Sequence, residues 1–184
     1  MGFAQKYKKT VKELQVEKVY DNSKPATDKK GYERIATWTT EAWGNHVLEI
    51  QEVRLFSMGQ TIFEKEDGTP VIADADKIAV DLVVVESDTL DVGTEMVWAD
   101  NARNYPKSFA KNCMSFVSAA LKAPFSELNP EDVEIVAAED QPLKGGTVSA
   151  RIEQFVSFKD GSKPLNSKGE PRTRCTFNAH FPAE

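Results

Sequence analysis

The stretch that most constrains this chain is Ile78 to Glu86, IAVDLVVVE, in which six of nine residues are Ile, Val or Leu. Successive side chains of a strand point to opposite faces. One phase, Ile78, Val80, Leu82 and Val84, is wholly apolar. The other, Ala79, Asp81, Val83 and Val85, carries a single charge. A strand apolar on one face and nearly so on the other belongs in the middle of a sheet or closed barrel. The expectation is a small barrel built around this strand.

At 184 residues the chain is long enough for one domain with a substantial core. No apolar run approaches the ~20 residues a membrane helix needs, and MGFAQKYKKT is followed by no apolar segment of the kind a secretory signal carries. Two cysteines, Cys113 and Cys175, make no disulfide framework. Together these features lead to the expectation of a reducing, cytoplasmic setting without membrane contact. The net charge of −6 is unevenly spread: residues 1–34 carry +4, residues 35–142 carry −13 and residues 143–184 carry +3. Basic ends flanking an acidic middle suit a polyanionic partner for the ends, or simply a solvated surface.

Phe3, Tyr7, Val11 and Leu14 recur at helical spacing, which predicts an amphipathic helix over Phe3–Val19. Its stripe is expected to dock on the domain or on a second subunit, while Lys6, Lys8, Lys9 and Lys12 spread over the remainder. DNSKPATDKKG at Asp21–Gly31 reads as a linker. Trp38 and Trp43 follow, in a segment without clear periodicity, as core caps or ligand stackers. HVLEIQEVRLF, His46–Phe56, is a strand whose apolar phase slips near Gln51–Glu52, the mark of a β-bulge. A short strand is expected at Thr61–Glu64. Val92–Ala99 pairs with the central strand as a hairpin, with Val92, Thr94, Met96 and Trp98 on one face. The period then changes to 3.6: Phe109, Cys113, Phe116, Val117, Ala120 and Leu121 form one stripe, with Asn104 or a neighbour as cap and Pro106 in the first turn. Pro130–Ala138 predicts a second, shorter helix capped by Asn129. Strands resume at Thr147–Val156 and Arg172–Phe181, joined by the polar SFKDGSKPLNSKGEP, whose Gly and Pro predict a flexible hairpin arm.

The order strand, strand, strand, helix, strand, strand is that of the OB-fold, a five-stranded Greek-key barrel. From Val47 to Phe181 the chain resembles the phage OB-fold proteins that bind single-stranded DNA, a group that includes phage proteins long catalogued without a function. The residues that carry the resemblance are HVLEIQEVRLF, KIAVDLVVVES with VGTEMVW, the helical NYPKSFAKNCMSFVSAAL, and QPLKGGTVSARIEQ. In that group a helix pair precedes Leu, a basic residue and Gly, then a strand, a basic loop and a closing strand. Here these are Leu143, Lys144, Gly145 and Val148–Gln154. The resemblance implies a mainly β fold with a helix between strands 3 and 4 and an OB-fold domain over residues 41–184; the expected N-terminal helix and linker over residues 1–40 have no counterpart in the group. It also implies a DNA replication or recombination role in the host cytoplasm, with single-stranded DNA as ligand and replication or recombination proteins and a second copy of the chain as candidate partners. The acidic tail by which such binders often recruit partners is absent from HFPAE.

Sequence-tolerant binding of single strands needs positive charge along a groove and aromatic faces for stacking. The outward phases of the last two strands supply Arg151 and Phe155 on one and Arg172 and Arg174 on the other, the latter sharing their phase with Asn178 and His180. Phe158, Lys159, Lys163 and Lys168 on the arm extend the patch. Arg103, Tyr105 and Lys107 form a second basic and aromatic cluster, and Trp98 reads as core. Cys175, Phe177, Ala179 and Phe181 are expected inward. Asp74, Asp76, Asp81 and Glu86 are close enough in sequence to suggest a Mg²⁺ site, but Asp81 and Glu86 point to opposite faces of the strand. His46, His180, Cys113 and Cys175 lack zinc spacing, and no nucleophile–base pair or phosphate-cradling Gly motif is present. The expectation is a protein without enzymatic activity, metal or cofactor. The competing class is a protein-interaction or structural module that uses the barrel as scaffold and the acidic surface as interface.

Overall fold

The computed structural model describes residues 2–15 and 34–178. The expected helix beyond residue 15, the linker, and Ala179, His180 and Phe181 of the closing strand lie outside the described residues. The elements in order are α1 (Phe3–Leu14), β1 (Ile35–Ala36), β2 (Gly44–Phe56), β3 (Thr61–Glu64), β4 (Pro70–Ile72), β5 (Lys77–Ser87), β6 (Glu95–Asn101), α2 (Pro106–Leu121), α3 (Glu131–Val136), β7 (Thr147–Gln154) and β8 (Thr173–Asn178).

The apolar run at the centre of the sequence becomes the middle of a curled six-stranded sheet of order β1-β6-β5-β2-β7-β8. Every pairing is antiparallel except β1 with β6. Ile78, Val80, Leu82 and Val84 are buried beneath the helices, with Leu48, Ile50 and Val53 of β2 beside them. The expected phase slip is present: Ile50 faces Leu82 and Glu52 faces Asp81, so Gln51 is the extra residue of a bulge. A second irregularity, between Val47 and Leu48, places the extra residue Val85 on β5. The first bends the long β2 and the second bends β5; β2 pairs with β5 along most of its length and with β7 at its N-terminal half. Gly44, where β2 begins, has φ of +144°, and a Cβ there would meet Asp88 Oδ1 at 2.4 Å.

The expected count of five strands is corrected to six, and the sheet is a half-barrel. The outer edge of β6 carries the two residues of β1, in parallel, and β1 and β8 end the order without pairing to each other. Side chains fill the gap between β6 and β8. Phe177 of β8 meets Trp98 of β6 edge-on at 5.1 Å, and both contact Phe116 of α2. The short β3 pairs with β4 in a separate hairpin. β6 begins at Glu95 instead of Val92, because Val92 and Gly93 belong to the turn, where Gly93 has a positive φ.

Helix α1 docks on its own chain. Phe3, Tyr7, Val11 and Leu14 are all buried in the same core as the sheet, and Phe3 and Tyr7 pack on Phe109 of α2. Tyr105 stands at the N-cap of α2 without a side-chain cap bond, in place of Asn104, and Pro106 occupies the first turn as expected. Trp98 is core, at 1% exposure. Trp43 packs at the core rim and donates to Thr173 Oγ1 at 2.9 Å, and Trp38 covers Ala79 and Ala99 on the opposite face of the sheet. Among the described residues no helix is long and apolar enough to cross a membrane.

Candidate nucleic-acid interface

The β7–β8 hairpin sorts its side chains by strand alternation. Val148, Ala150, Ile152 and Cys175 are buried on the helix side. Arg151, Glu153 and Phe155 take the outer phase. Register places Thr176 opposite Arg151 and Arg174 opposite Glu153, and the Phe155 N–H donates to the Arg172 carbonyl at 2.8 Å. Cross-strand neighbours on one face interact, so Arg151, Phe155, Arg172 and Arg174 come together. The Arg172 guanidinium lies over the Phe155 ring at 5.7 Å from its centroid, and that of Arg174 over Phe158 at 5.2 Å. Both are within cation–π range. Phe158 is 63% exposed.

The connecting arm is a hydrogen-bonded structure in its own right. Ser157 N–H donates to Ser162 at 2.8 Å, Asn166 N–H to Glu170 at 2.8 Å and Arg172 N–H to Pro164 at 3.1 Å, and Leu165 bridges Pro171. Gly161 and Gly169 supply positive φ to its two turns. Hydrogen bonds from Ser162, and then from Ser157, hold the Asp160 carboxyl below the usual carboxylate range. Lys159, Lys163 and Lys168 are exposed along this arm.

The second expected cluster lies elsewhere. β2 runs from Gly44, beside Ile152, to Phe56, beside Lys77, and Lys77 in turn faces Asn101. Arg103, Tyr105 and Lys107 follow Asn101, so they sit at the end of the sheet opposite the arm. Arg103 is ion-paired with Asp74, which Lys77 also approaches at 3.3 Å. Tyr105 and Lys107 are exposed at the start of α2.

The outer face of the central strands is acidic. Glu49 and Glu95 flank Val83, and Glu52 faces Asp81. Asp81 is nearly buried and accepts from both Arg34 and Arg54. Beside it a cleft is lined by Arg34, Gln51, Glu52, Glu95 and Lys144. Asp76 accepts from Tyr7, from the Met58 N–H at 2.9 Å and from Lys6 at 2.8 Å. Burial pushes its carboxyl up, but Lys6, Tyr7 and Met58 together bring it below the ordinary value. Burial, then the bond to Asp76, push the Tyr7 phenol far upward. Of the carboxylates that suggested a metal site, Asp74, Asp76 and Asp81 are thus bound to cations and donors of the chain, and Glu86 is exposed. Among the described residues no group of three or more His, Cys, Asp or Glu side chains is placed to hold a metal ion. His46 lies between Ser87 Oγ and the Ala42 carbonyl, at 2.8 and 2.7 Å. Cys113 and Cys175 are buried free thiols, and burial, reinforced by Asp100, raises Cys113 well above its ordinary value.

Two features are not apparent from the sequence. One is Glu153, which contacts Arg151 at 3.0 Å and Arg174 at 3.5 Å; its phase is legible, but the pairing across the hairpin needs the register. The other is Arg34, which reaches Asp81 from the end of the linker with no local signal. No protein-family model matches the chain, and no curated protein or solved structure shows significant similarity to it.

Proposed function

We propose that this chain is a non-enzymatic, single-stranded-DNA-binding protein built on an OB-like sheet, of the kind phages use in replication or recombination. One observation carries the reading: the outer face of the β7–β8 hairpin sets Arg172 against Phe155 and Arg174 against Phe158, next to the exposed lysines of the arm. Rings give sequence-tolerant stacking surfaces and cations follow the phosphates. The order β6-β5-β2-β7-β8 supports the OB reading, because it matches a Greek-key barrel in which the first long strand lies between the second and the fourth. In that scheme the basic arm joins strands 4 and 5, one of the loops with which OB-folds hold oligonucleotides.

A second reading, an interaction module, is favoured by the acidic outer face of β2, β5 and β6. Gel shifts with single-stranded DNA, double-stranded DNA and RNA over a salt series separate the two. The nucleic-acid reading expects preference for single strands and steep weakening with salt, because counterions leave the phosphates. Absence of binding at low salt, or tight binding indifferent to salt, favours the interaction module.

A further inference from the structure

Glu153 stands between two arginines that a phosphate would use. Its Oε2 is 3.0 Å from Arg151 Nη2, two residues back on the same strand, and its Oε1 is 3.5 Å from Arg174 Nη2, directly across on β8. A carboxylate held between guanidinium groups has the features of a phosphodiester: one negative charge on two oxygens, each accepting N–H donors. The arrangement is not saturated. Arg151 is 62% and Glu153 36% exposed, so ions and solvent reach the pair. The Arg174 bond to Glu153 is at the long end of the hydrogen-bond range, so a better-placed acceptor can replace it. Exposed ion pairs are weak and salt-screened, so an incoming anion whose bases also stack on the rings can displace this one.

We propose that Glu153 occupies, in the free protein, the seat that one backbone phosphate of a bound single strand takes in the complex. Arg151 and Arg174 would then exchange a carboxylate for a phosphodiester, and Glu153 would set the affinity and salt response of the face. This role rests on the nucleic-acid reading and adds to it a residue that restrains binding.

The test uses a fluorescent oligothymidylate, titrated against the wild-type chain, E153Q and E170Q over a salt series. Gln at position 153 keeps the size and one acceptor but removes the charge. E153Q is expected to bind several-fold more tightly, with a salt slope steeper by ~0.7 for each additional phosphate neutralised. Adding R174A to E153Q should cancel much of that increase in affinity. E170Q removes the same charge from the same hairpin, but the Glu170 carboxylate bonds Asn166 Nδ2 at 3.0 Å; it should bind close to wild type. If E153Q matches wild type, or E170Q tightens binding as much, the seat is refuted while the nucleic-acid reading stands on the wild-type binding. If neither wild type nor E153Q binds at low salt, both fall.

Discussion

The ring of Phe155 lies beneath the guanidinium of Arg172, Cζ to centroid 5.7 Å, and the backbone N–H of Phe155 donates to the Arg172 carbonyl at 2.8 Å. The pair is therefore fixed by the hairpin ladder as well as by the side chains, at the point where β7 and β8 give way to the arm. The two partners should fail in different ways. Phe155→Ala removes a stacking surface worth ~1–3 kcal/mol per base, with the salt slope nearly unchanged. Arg172→Ala should lower the slope by ~0.7, the loss of one phosphate contact on a single strand. Anisotropy titrations at several salt concentrations read both quantities. Two variants that bind like the parent would place the site away from this hairpin and send the search to Arg103, Tyr105 and Lys107.

Phe177 is the control on the opposite phase of the same strand. Its ring meets Trp98 at 5.1 Å and Phe116 at 5.3 Å, closing the gap between β6 and β8. A fully buried Phe→Ala change costs ~3–5 kcal/mol, and the partial exposure of Phe177 brings the expectation to about 2–4 kcal/mol. Urea unfolding followed by tryptophan fluorescence measures it. Unfolding by Phe155→Ala with retained stability in Phe177→Ala would reverse the assignment of faces.

What can be read from the residues is what alternation and periodicity dictate. The faces of β5, β7 and β8, the α1 stripe, the α2 stripe up to Val117 and the Gln51 bulge follow from local patterns, because a side chain's face depends only on its own strand or helix; Leu121, expected on the α2 stripe, is 44% exposed at the helix end. The non-local features are not legible. Strand β1 is two residues long, too short to leave a period, and its parallel pairing to β6 is decided by the open edge it finds there. Arg34 reaching Asp81, and Arg174 reaching Glu153, depend on the approach of segments far apart in sequence. The two basic clusters look alike in composition; only the run of β2 between them shows that they occupy opposite ends of the sheet.

The buried contact of Tyr7 with Asp76 ties α1 to the sheet and should give stability a pH dependence at both extremes. The folded-state value of Asp76 is depressed, so its contribution is complete above the unfolded value near ~3.9 and is lost as pH falls through the folded one. Tyr7 is raised; its contribution is complete below ~10 and is lost as pH climbs further. Tyr7→Phe should cost about 1.5–3 kcal/mol at neutral pH, the range for a hydrogen bond to a charged group, and flatten the alkaline loss. Asp76→Asn should flatten part of the acid loss, the remainder coming from Asp67, Asp88 and Asp160, which are also depressed. Melting temperatures across pH for the three proteins check this. Parallel curves would show that the pair carries no linkage.

Asp81 tests whether the acidic outer face is structural. It is the single charge on the second phase of the Ile78–Glu86 run and is only 7% exposed. It accepts from Arg34 and Arg54, whose side chains are also largely buried. Removing one partner of a buried pair leaves uncompensated charge, at ~3–5 kcal/mol. Asp81→Ala takes this acceptor from two guanidinium groups, one from the end of the linker and one from β2, where Arg54 keeps Glu52 at 3.9 Å. At roughly 2–4 °C per kcal/mol for a chain of this size, the melting temperature should fall by about 6–20 °C. Asp81→Asn retains an acceptor and should lose less. Added Mg²⁺ should leave the wild-type melting temperature unchanged, because the Asp81 carboxylate is already engaged by Arg34 and Arg54. A stable Asp81→Ala protein, or a Mg²⁺-dependent rise in melting temperature that this variant abolishes, would instead make Asp81 a ligand-binding group and the acidic face a working surface.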